Sequence, residues 1–310
     1  MTIIENPADV QLYPETLERS YEPNVAPWRL PEGKKLVVSL LLHAPSYQDD
    51  VPPGTIKPIA MQGGVGRETG EPRHGQVARL SQWDFGLGVG IFRLMKIADA
   101  AGVPYAVALD EAGVTAYPAL AKHVAASGAE LVVRGRAANV LLGESMSREE
   151  QIAYISGARA AVEGAVGASA VGWFSPERGE TTITPELLAE QGFVWNGSWP
   201  VDERPVPLVG PAAGLTALPF HLDSEDMFAL YGRGLAFRDY ERQLLQTVDQ
   251  LIADADLLGG RFLGLSWFGW VLGQACYADV AERVLADLIA RPEIAFVTPA
   301  DAVRLASAAA

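Results

Sequence analysis

The sequence predicts an α/β protein built on mostly parallel strands, and three observations carry that reading. Short apolar runs rich in β-formers alternate with helical segments, glycines stand where several of those helices end, and 310 residues suit a barrel of alternating strands and helices. Alternation this steady implies right-handed crossovers, hence a closed barrel or an open doubly wound sheet. Either architecture places a functional site at the carboxyl ends of the strands.

Residues 1–33 are rich in Pro, Glu and Tyr and show no period. They read as an irregular arm draped over the domain or contacting another subunit, and residues 34–310 read as one domain. The first strand is the apolar run 36–42, of the kind covered on both faces. Residues 43–82 form a Gly- and Pro-rich stretch too long for an idle connection, which points to a loop that covers a site. Helices are expected at 91–101, 117–127, 148–166 and 185–191, with strands at 105–109, 130–133, 169–174 and 193–195. Gly102, Gly128 and Gly192 follow three of those helices, where a left-handed cap favours glycine. Later strands at 215–222 and 261–267 bracket a helix at 238–258. The tail adds a helix at 279–290, a strand at 294–297 and a last helix from Pro299. The run Gly86-Leu87-Gly88-Val89-Gly90 lacks the spacing and the preceding strand of a dinucleotide loop.

Composition narrows the function. With 49% hydrophobic residues the chain can bury a large core. A net charge of -14, a pI near 4.7 and 24 scattered Lys and Arg argue against nucleic acid. The one cysteine, Cys276, lies in an apolar run and reads as a buried, inert thiol in a reducing compartment. Residues 1–14 carry no signal-peptide core, and no apolar stretch of about twenty residues is present to span a bilayer. The expectation is a cytoplasmic protein with a small-molecule substrate, no nucleic-acid or membrane partner, and homo-oligomeric assembly.

The chemistry-bearing residues exclude several classes. His43, His74, His123 and His221 share no ligand spacing, and a cation would sit badly beside Arg134 and Arg136, so neither a metal nor another cofactor is expected. No GxSxG elbow is present. What remains is a polar set near predicted strand ends. Arg134 offers a fork of donors for a carboxylate or a developing oxyanion, unless it is a structural partner of Asp84 or Glu177. Glu177, on the loop after the fourth strand, is a candidate general base, or simply a solvated glutamate. His221 precedes Asp223 and Asp226, which suits a carboxylate-oriented acid or base as well as a structural histidine. His43 ends the first strand, either in the site or capping strand-end carbonyls. Trp83, Trp173, Trp199, Trp267 and Phe268 are candidate walls for a planar ring or plain core.

Between Trp83 and Pro207 a family resemblance appears. Asp84-Phe85-Gly86, Gly90, Arg93, Gly102-Val103-Pro104 and Tyr117-Pro118 resemble the acidic-aromatic-glycine motif and following helix of the allantoinase-like, metal-independent branch of the polysaccharide deacetylase (NodB-homology) superfamily. Ser127-Gly128-Ala129-Glu130 resembles its glycine-histidine-glutamate turn with Ala129 in the histidine place. Met146 to Glu150, Val171 to Phe174, Thr184 to Phe193 and Asp202 extend the likeness, which covers most of the chain from about Pro31. It implies a distorted, seven-stranded (β/α) barrel and, in active members, hydrolysis of an amide C–N bond in an N-acetyl sugar or a cyclic ureide. Metal-using members place an acidic pair after the first strand and histidines after the third; here His43-Ala44-Pro45-Ser46 and Val133-Arg134-Gly135-Arg136 stand there. An aromatic residue in Ser266-Trp267-Phe268-Gly269 occupies the distal histidine place.

The reading is therefore a metal-independent hydrolase, or related lyase, acting on a C–N bond of a small cyclic amide or ureide. His43, Glu177 and His221 are the candidate catalytic groups. Asp84, Arg134, Arg136, Trp173, Trp199, Asp202 and Phe268 are the candidate binding groups. The competing reading is a catalytically silent subunit or ligand-binding protein beside an active paralogue, and a metal-dependent sugar deacetylase ranks last.

Overall fold

The run Leu36–Ala44 forms the central strand β1, and its alternation sets the plan of the molecule. Leu36, Val38, Leu40, Leu42 and Ala44 join the large core between sheet and helices, whereas Val37 and Leu41 join a second core. Successive strand side chains point to opposite faces, so Ser39 and His43 share the face of Val37 and Leu41. The computed structural model describes residues 15–18, 21–31, 33–48, 51, 53–56, 60, 61, 68, 69 and 77–308. His74 lies outside the described residues.

The main sheet adds β2 (Tyr105–Leu109), β3 (Glu130–Val133), β4 (Gly172–Trp173), β5 (Trp195–Asn196), β6 (Val206–Pro207), β7 (Thr216–Ala217), β8 (Arg261–Phe268) and β9 (Ile294–Phe296). Its order is β8-β1-β2-β3-β4-β5-β7-β6, with β9 on the first residues of β1. All pairs are parallel except β6 with β7. Seven parallel strands thus make the path, and β6 and β9 are additions to it. Val37, Ala106, Val132, Phe174, Trp195, Phe220 and Phe262 come from strands or strand ends around the whole sheet, yet they form one cluster. The sheet therefore curls on itself. A parallel bridge between Glu225 and Ser266, and donation from Phe262 N to Glu203 O, bring the far side of the curl against β8. The result is the distorted barrel that the sequence predicts.

Helices α1 (Val77–Phe85), α2 (Ile91–Ala101), α3 (Glu111–Ala116), α4 (Pro118–Ser127), α5 (Arg148–Val166), α6 (Thr184–Glu190), α7 (Phe237–Leu258), α8 (Ala278–Ile289) and α9 (Pro299–Ala308) surround the sheet. Asp110 caps α3 by accepting from Gly113 N, and Ser147 with Glu150 closes a reciprocal capping box on α5. The C-caps of α2 and α4, Gly102 and Gly128, take φ of 66° and 75°, a conformation in which a β-carbon is strained. No helix among the described residues is long and apolar enough to cross a membrane.

Two local expectations need correcting. The end of the stretch 43–82 is helical: α1 runs through a π turn at Gly86–Gly90 into α2. Tertiary packing overrides the poor helix propensity of three glycines in five residues. A β-carbon on Gly90 would lie 1.8 Å from the Gly269 carbonyl oxygen, and one on Gly86 would lie 2.8 Å from the Trp270 β-carbon and 3.0 Å from its backbone nitrogen. The glycine run thus permits a backbone crossing against the segment after β8. Cys276 is exposed rather than buried. The apolar run after β8 stays buried through Leu272, and the chain then turns outward before α8.

The described part of the arm packs on its own barrel. Trp28 is buried with Val37, Phe262, Ala302 and Val303, and it pairs with Gly259. The fully buried Arg261 contacts Glu22 and lies 3.4 Å from Glu203.

The glycine crossing is open to a direct test. Gly90→Ala should destabilise the protein by about 1–3 kcal/mol or more through overpacking against rigid backbone. Gly88→Ala, with nothing within 4 Å of its β-carbon, should be neutral or stabilising by about 0.5–1 kcal/mol. Chemical denaturation of both variants measures the contrast.

Candidate functional site

The inward-facing residues at the carboxyl ends of the strands are not uniformly apolar. His43 on β1, Arg134 after β3, Phe174 after β4 and Ser266 and Phe268 on β8 meet there, and all are buried. His43 stacks on Phe268 at 4.4 Å between ring centroids and meets Phe174 edge-on at 4.7 Å. Its Nε2 is hydrogen-bonded to Ser266 Oγ at 2.8 Å, and its Nδ1 has no partner. Burial, with Arg134 and then Arg178 nearby, pushes this imidazole well below its ordinary pKa. His43 is held neutral.

The position of Phe268 depends on Asp226. That buried carboxylate accepts from Phe268 N at 3.0 Å, Leu272 N at 3.1 Å and Met227 N at 2.8 Å. It fastens the end of β8 to the turn that follows it and to the π turn Met227–Gly232. On the opposite side Asp110 accepts from Ser46 N, Ser46 Oγ and Gly113 N at 2.5–2.7 Å, joining the ends of β1 and β2 to α3.

Arg134 is 2% exposed, with its guanidinium 5.1 Å from the Phe268 ring centroid. Its Nε and Nη1 lack partners. Burial lowers its pKa, while the negative charges of Glu177, Asp110 and Glu225 act in the opposite sense. A guanidinium keeps its proton in proteins, so this is a buried cation with free donors.

Glu177 reaches the same place through an unusual backbone. It and Arg178 adopt φ of 50° and 55° and are the non-glycine residues in the left-handed region among the described residues. Each such residue stores about 1–3 kcal/mol and persists only where its surroundings over-determine it. Here the surroundings do so. Trp173 donates to Ser175 Oγ at 2.7 Å, Ser175 Oγ donates to Glu180 at 2.8 Å, and Asn196 donates to Glu180 at 2.9 Å. Arg178 donates to Gly197 O, pairs with Glu225 at 3.1 Å and lies 4.8 Å from the Phe174 ring centroid. Burial raises the Glu177 carboxyl above the ordinary carboxylate range, opposed by Arg134 and supported by Glu225.

Arg134, Phe174, Glu177, Arg178, Glu225 and Phe268 line a cleft of about 60 Å³. His43 does not line it and lies beneath its aromatic floor. A larger cleft of about 790 Å³ lies beside α3 and α5, lined by Glu111, Arg136, Tyr154 and Ile56. There Arg136 is 49% exposed and paired with Glu111 at 2.9 Å, so its charge is already answered. Size favours the outer cleft. Chemistry favours the inner one, because only there does a buried cation keep unused donors beside a carboxyl of raised pKa.

The structure thus brings Arg134, Glu177 and Phe268 to one cleft with His43 under it, and the other candidates go elsewhere. Asp84 is exposed in a separate cleft with Tyr117, whose hydroxyl is pushed up to about 12 by burial and then by Asp84. Arg136 faces the outer cleft. His221 meets the Asp202 backbone oxygen at 3.1 Å, and Asp202 pairs with Arg204 beside Glu203, which contacts the first residues of β8. Trp173 lies in the outer core against Tyr154 and Phe193, and Trp199 is half-buried beside the same core. Arg178, Glu225, Phe174 and Ser266 are members of the arrangement that the sequence reading missed. Counting by twos along strands β4 and β8 signals the last two.

No protein-family model and no curated protein matches the sequence. Solved structures do. A Mycobacterium smegmatis protein described as a polysaccharide deacetylase superposes with a TM-score of 0.76 at 19% identity, over 92% of this chain and 94% of that one. Puue allantoinase gives 0.79 at 18% identity over 92% and 94%, and a Pseudomonas aeruginosa PAO1 protein described as a polysaccharide deacetylase gives 0.78 at 18% over 91% and 94%. The fold is that of the polysaccharide deacetylases and allantoinase. A metal ion of the kind used by metal-dependent polysaccharide deacetylases does not fit the described residues. Among the described residues the one histidine at the inner level, His43, is engaged by Ser266, covered by Phe174 and Phe268 and flanked by two arginines. Among the described residues no group of three His, Cys, Asp or Glu converges.

Asp110 gives this region a pH signature. Burial, against the donors from Ser46 and Gly113, pushes its carboxyl up to about 6. A raised folded-state pKa means that its contribution to stability is complete below the ordinary 3.8 and is lost as pH rises through about 6. Asp110→Asn should therefore flatten the fall in stability between pH 4 and pH 7 by about 2–3 kcal/mol, whatever its absolute stability. Denaturant titrations at the two pH values measure the change in slope.

Proposed function

We propose that this chain is a metal-independent hydrolase, or a related lyase, acting on a carbon–nitrogen bond of a small cyclic amide or ureide. The observation that carries the reading is Arg134, a buried guanidinium with two unpartnered nitrogens lining a cleft at the barrel mouth. In this reading Arg134 holds the carbonyl oxygen and stabilises the oxyanion that develops on it. Glu177, as carboxylate, takes the proton of the attacking water and returns it to the leaving nitrogen. The water oxygen bonds to the carbonyl carbon as the C–N bond breaks, so no redox partner is required. His43 is neutral, below the cleft floor, and positions Phe268 by stacking. The acidic chain then works in the cytoplasm as a homo-oligomer, without nucleic-acid or membrane partners.

A second reading has its own support. The narrow cleft and the sealed His43 suit a catalytically silent ligand-binding chain or a subunit beside an active paralogue. Both readings require Arg134 for binding; only the first requires turnover.

The test is hydrolysis of hydantoin and related cyclic amides by the purified full-length protein. Turnover should be indifferent to chelators. Arg134→Ala should weaken binding at least about tenfold, equivalent to about 1.4 kcal/mol, and Glu177→Gln should lower kcat by about 10²–10⁴. A carboxylate base of raised pKa puts the acidic limb of the pH–rate profile above the ordinary carboxylate range, and Glu177→Gln should abolish that limb. Arg134-dependent binding without turnover across the series would overturn the enzymatic reading in favour of the silent one.

A further inference from the structure

The seven tryptophans of the chain divide into two groups by what their indole N–H donates to. Trp28 donates to Leu305 O at 3.4 Å, Trp173 to Ser175 at 2.7 Å, Trp195 to Glu130 at 2.8 Å and Trp267 to Tyr240 at 3.1 Å. Trp199 is half-buried and absent from the unpartnered set. Trp83 and Trp270 donate to nothing, although they are only 3% and 1% exposed. These two are neighbours, with ring centroids 5.3 Å apart. Tyr47 stacks on Trp83 and Tyr231 meets Trp270 edge-on. Their cluster contains Phe268 and Met227, which also line the Arg134 cleft.

Buried donors without acceptors are rare in native interiors, because each has lost its hydration without replacement. Two on adjacent indoles, one of them edge-on at 6.5 Å to the Phe268 ring that the Arg134 guanidinium meets at 5.1 Å, concentrate donor capacity at one end of the barrel. We infer that Trp83 and Trp270, with Arg134, form the binding face for a planar ligand bearing a carboxylate, and that the two indoles determine its specificity. The inference deepens the proposed function and rests on its use of Arg134. A carboxylate supplies two oxygens with about four acceptor directions and matches a planar guanidinium fork. Aromatic walls suit a flat ring attached to it. A monoanion balances Arg134, the one buried arginine among the described residues that lacks an ion-pair partner, whereas a phosphate dianion would meet Glu177 and Glu225 at the same cleft.

The experiment is a titration of full-length ¹⁵N-labelled protein with hydantoin-5-acetate, using hydantoin as the carboxylate-free comparison. Trp83→Phe and Trp270→Phe assign the two indole resonances. Hydantoin-5-acetate should move both, leave those of Trp173, Trp195 and Trp267 in place, and bind at least tenfold more tightly than hydantoin. Each Phe variant should lose about tenfold in affinity while unfolding at or above the wild-type temperature, since it discards an unanswered donor. Binding that depends on Arg134 but leaves both indoles unmoved would overturn this inference and leave the proposed function standing. Equal affinity for the two probes would overturn the carboxylate, and binding of neither would overturn both. Should a Phe variant fail to fold, the wild-type indole shifts still decide.

Discussion

The mouth of the barrel depends on the burial of one carboxylate. Asp226 has given up water for the backbone N–H groups of Met227, Phe268 and Leu272, and in doing so it holds the last residue of β8 in place. Phe268 is the shared floor: His43 stacks beneath it, Arg134 lies over it and Trp270 stands edge-on to it at 6.5 Å. Backbone N–H groups stabilise the ionised form, whereas burial and the neighbouring Glu225 oppose it and leave the carboxyl well above its ordinary range. Without Asp226 three buried donors would be orphaned, and the ring on which the other groups rest would lose its anchor.

Much of the architecture was legible in the chain because parallel strands covered on both faces leave a plain apolar signature. Residues 36–42, 105–109 and 130–133 read as strands and are strands. Strands at 169–174 and 215–222 contract to the pairs Gly172–Trp173 and Thr216–Ala217. Apolar character there records burial, while a ladder also needs a partner in register. The glycine run at Gly86 was opaque for a different reason. Its conformation is set by the backbone of Gly269 and Trp270, about 180 residues away in sequence, and no local pattern carries that information.

The site was legible only in part, and the division has a physical basis. Arg134 and Phe268 lie an even number of residues from inward core positions, Val132 and Phe262, so period-two counting places them inside. Trp173 fails the same count, since the inward neighbours in its segment are Gly172 and Phe174. Asp202, His221 and Asp84 sit on loops or a helix, where period two says nothing, and none of them lines the Arg134 cleft. Arg178 was hidden by its backbone. A left-handed residue without glycine leaves no compositional trace, so the turn that points Glu177 at the cleft is invisible until the fold is known.

These features share one energetic character. Two left-handed residues cost about 1–3 kcal/mol each, and every orphaned buried donor costs a similar amount, against a net stability for a domain of only about 5–15 kcal/mol. A mouth with that many unfavourable groups persists because the layers beneath it are regular: β1 is buried along its whole length, paired with β8 from Leu36 to His43 and flanked by the outer core. The network of Trp173, Ser175, Asn196 and Glu180 transmits that rigidity to the strained turn. A ligand that answers the free donors relieves part of the cost already present in the empty fold, so its binding requires little new ordering. The two left-handed residues and the free nitrogens of His43, Arg134, Trp83 and Trp270 thus gather around the Phe268 end of the barrel.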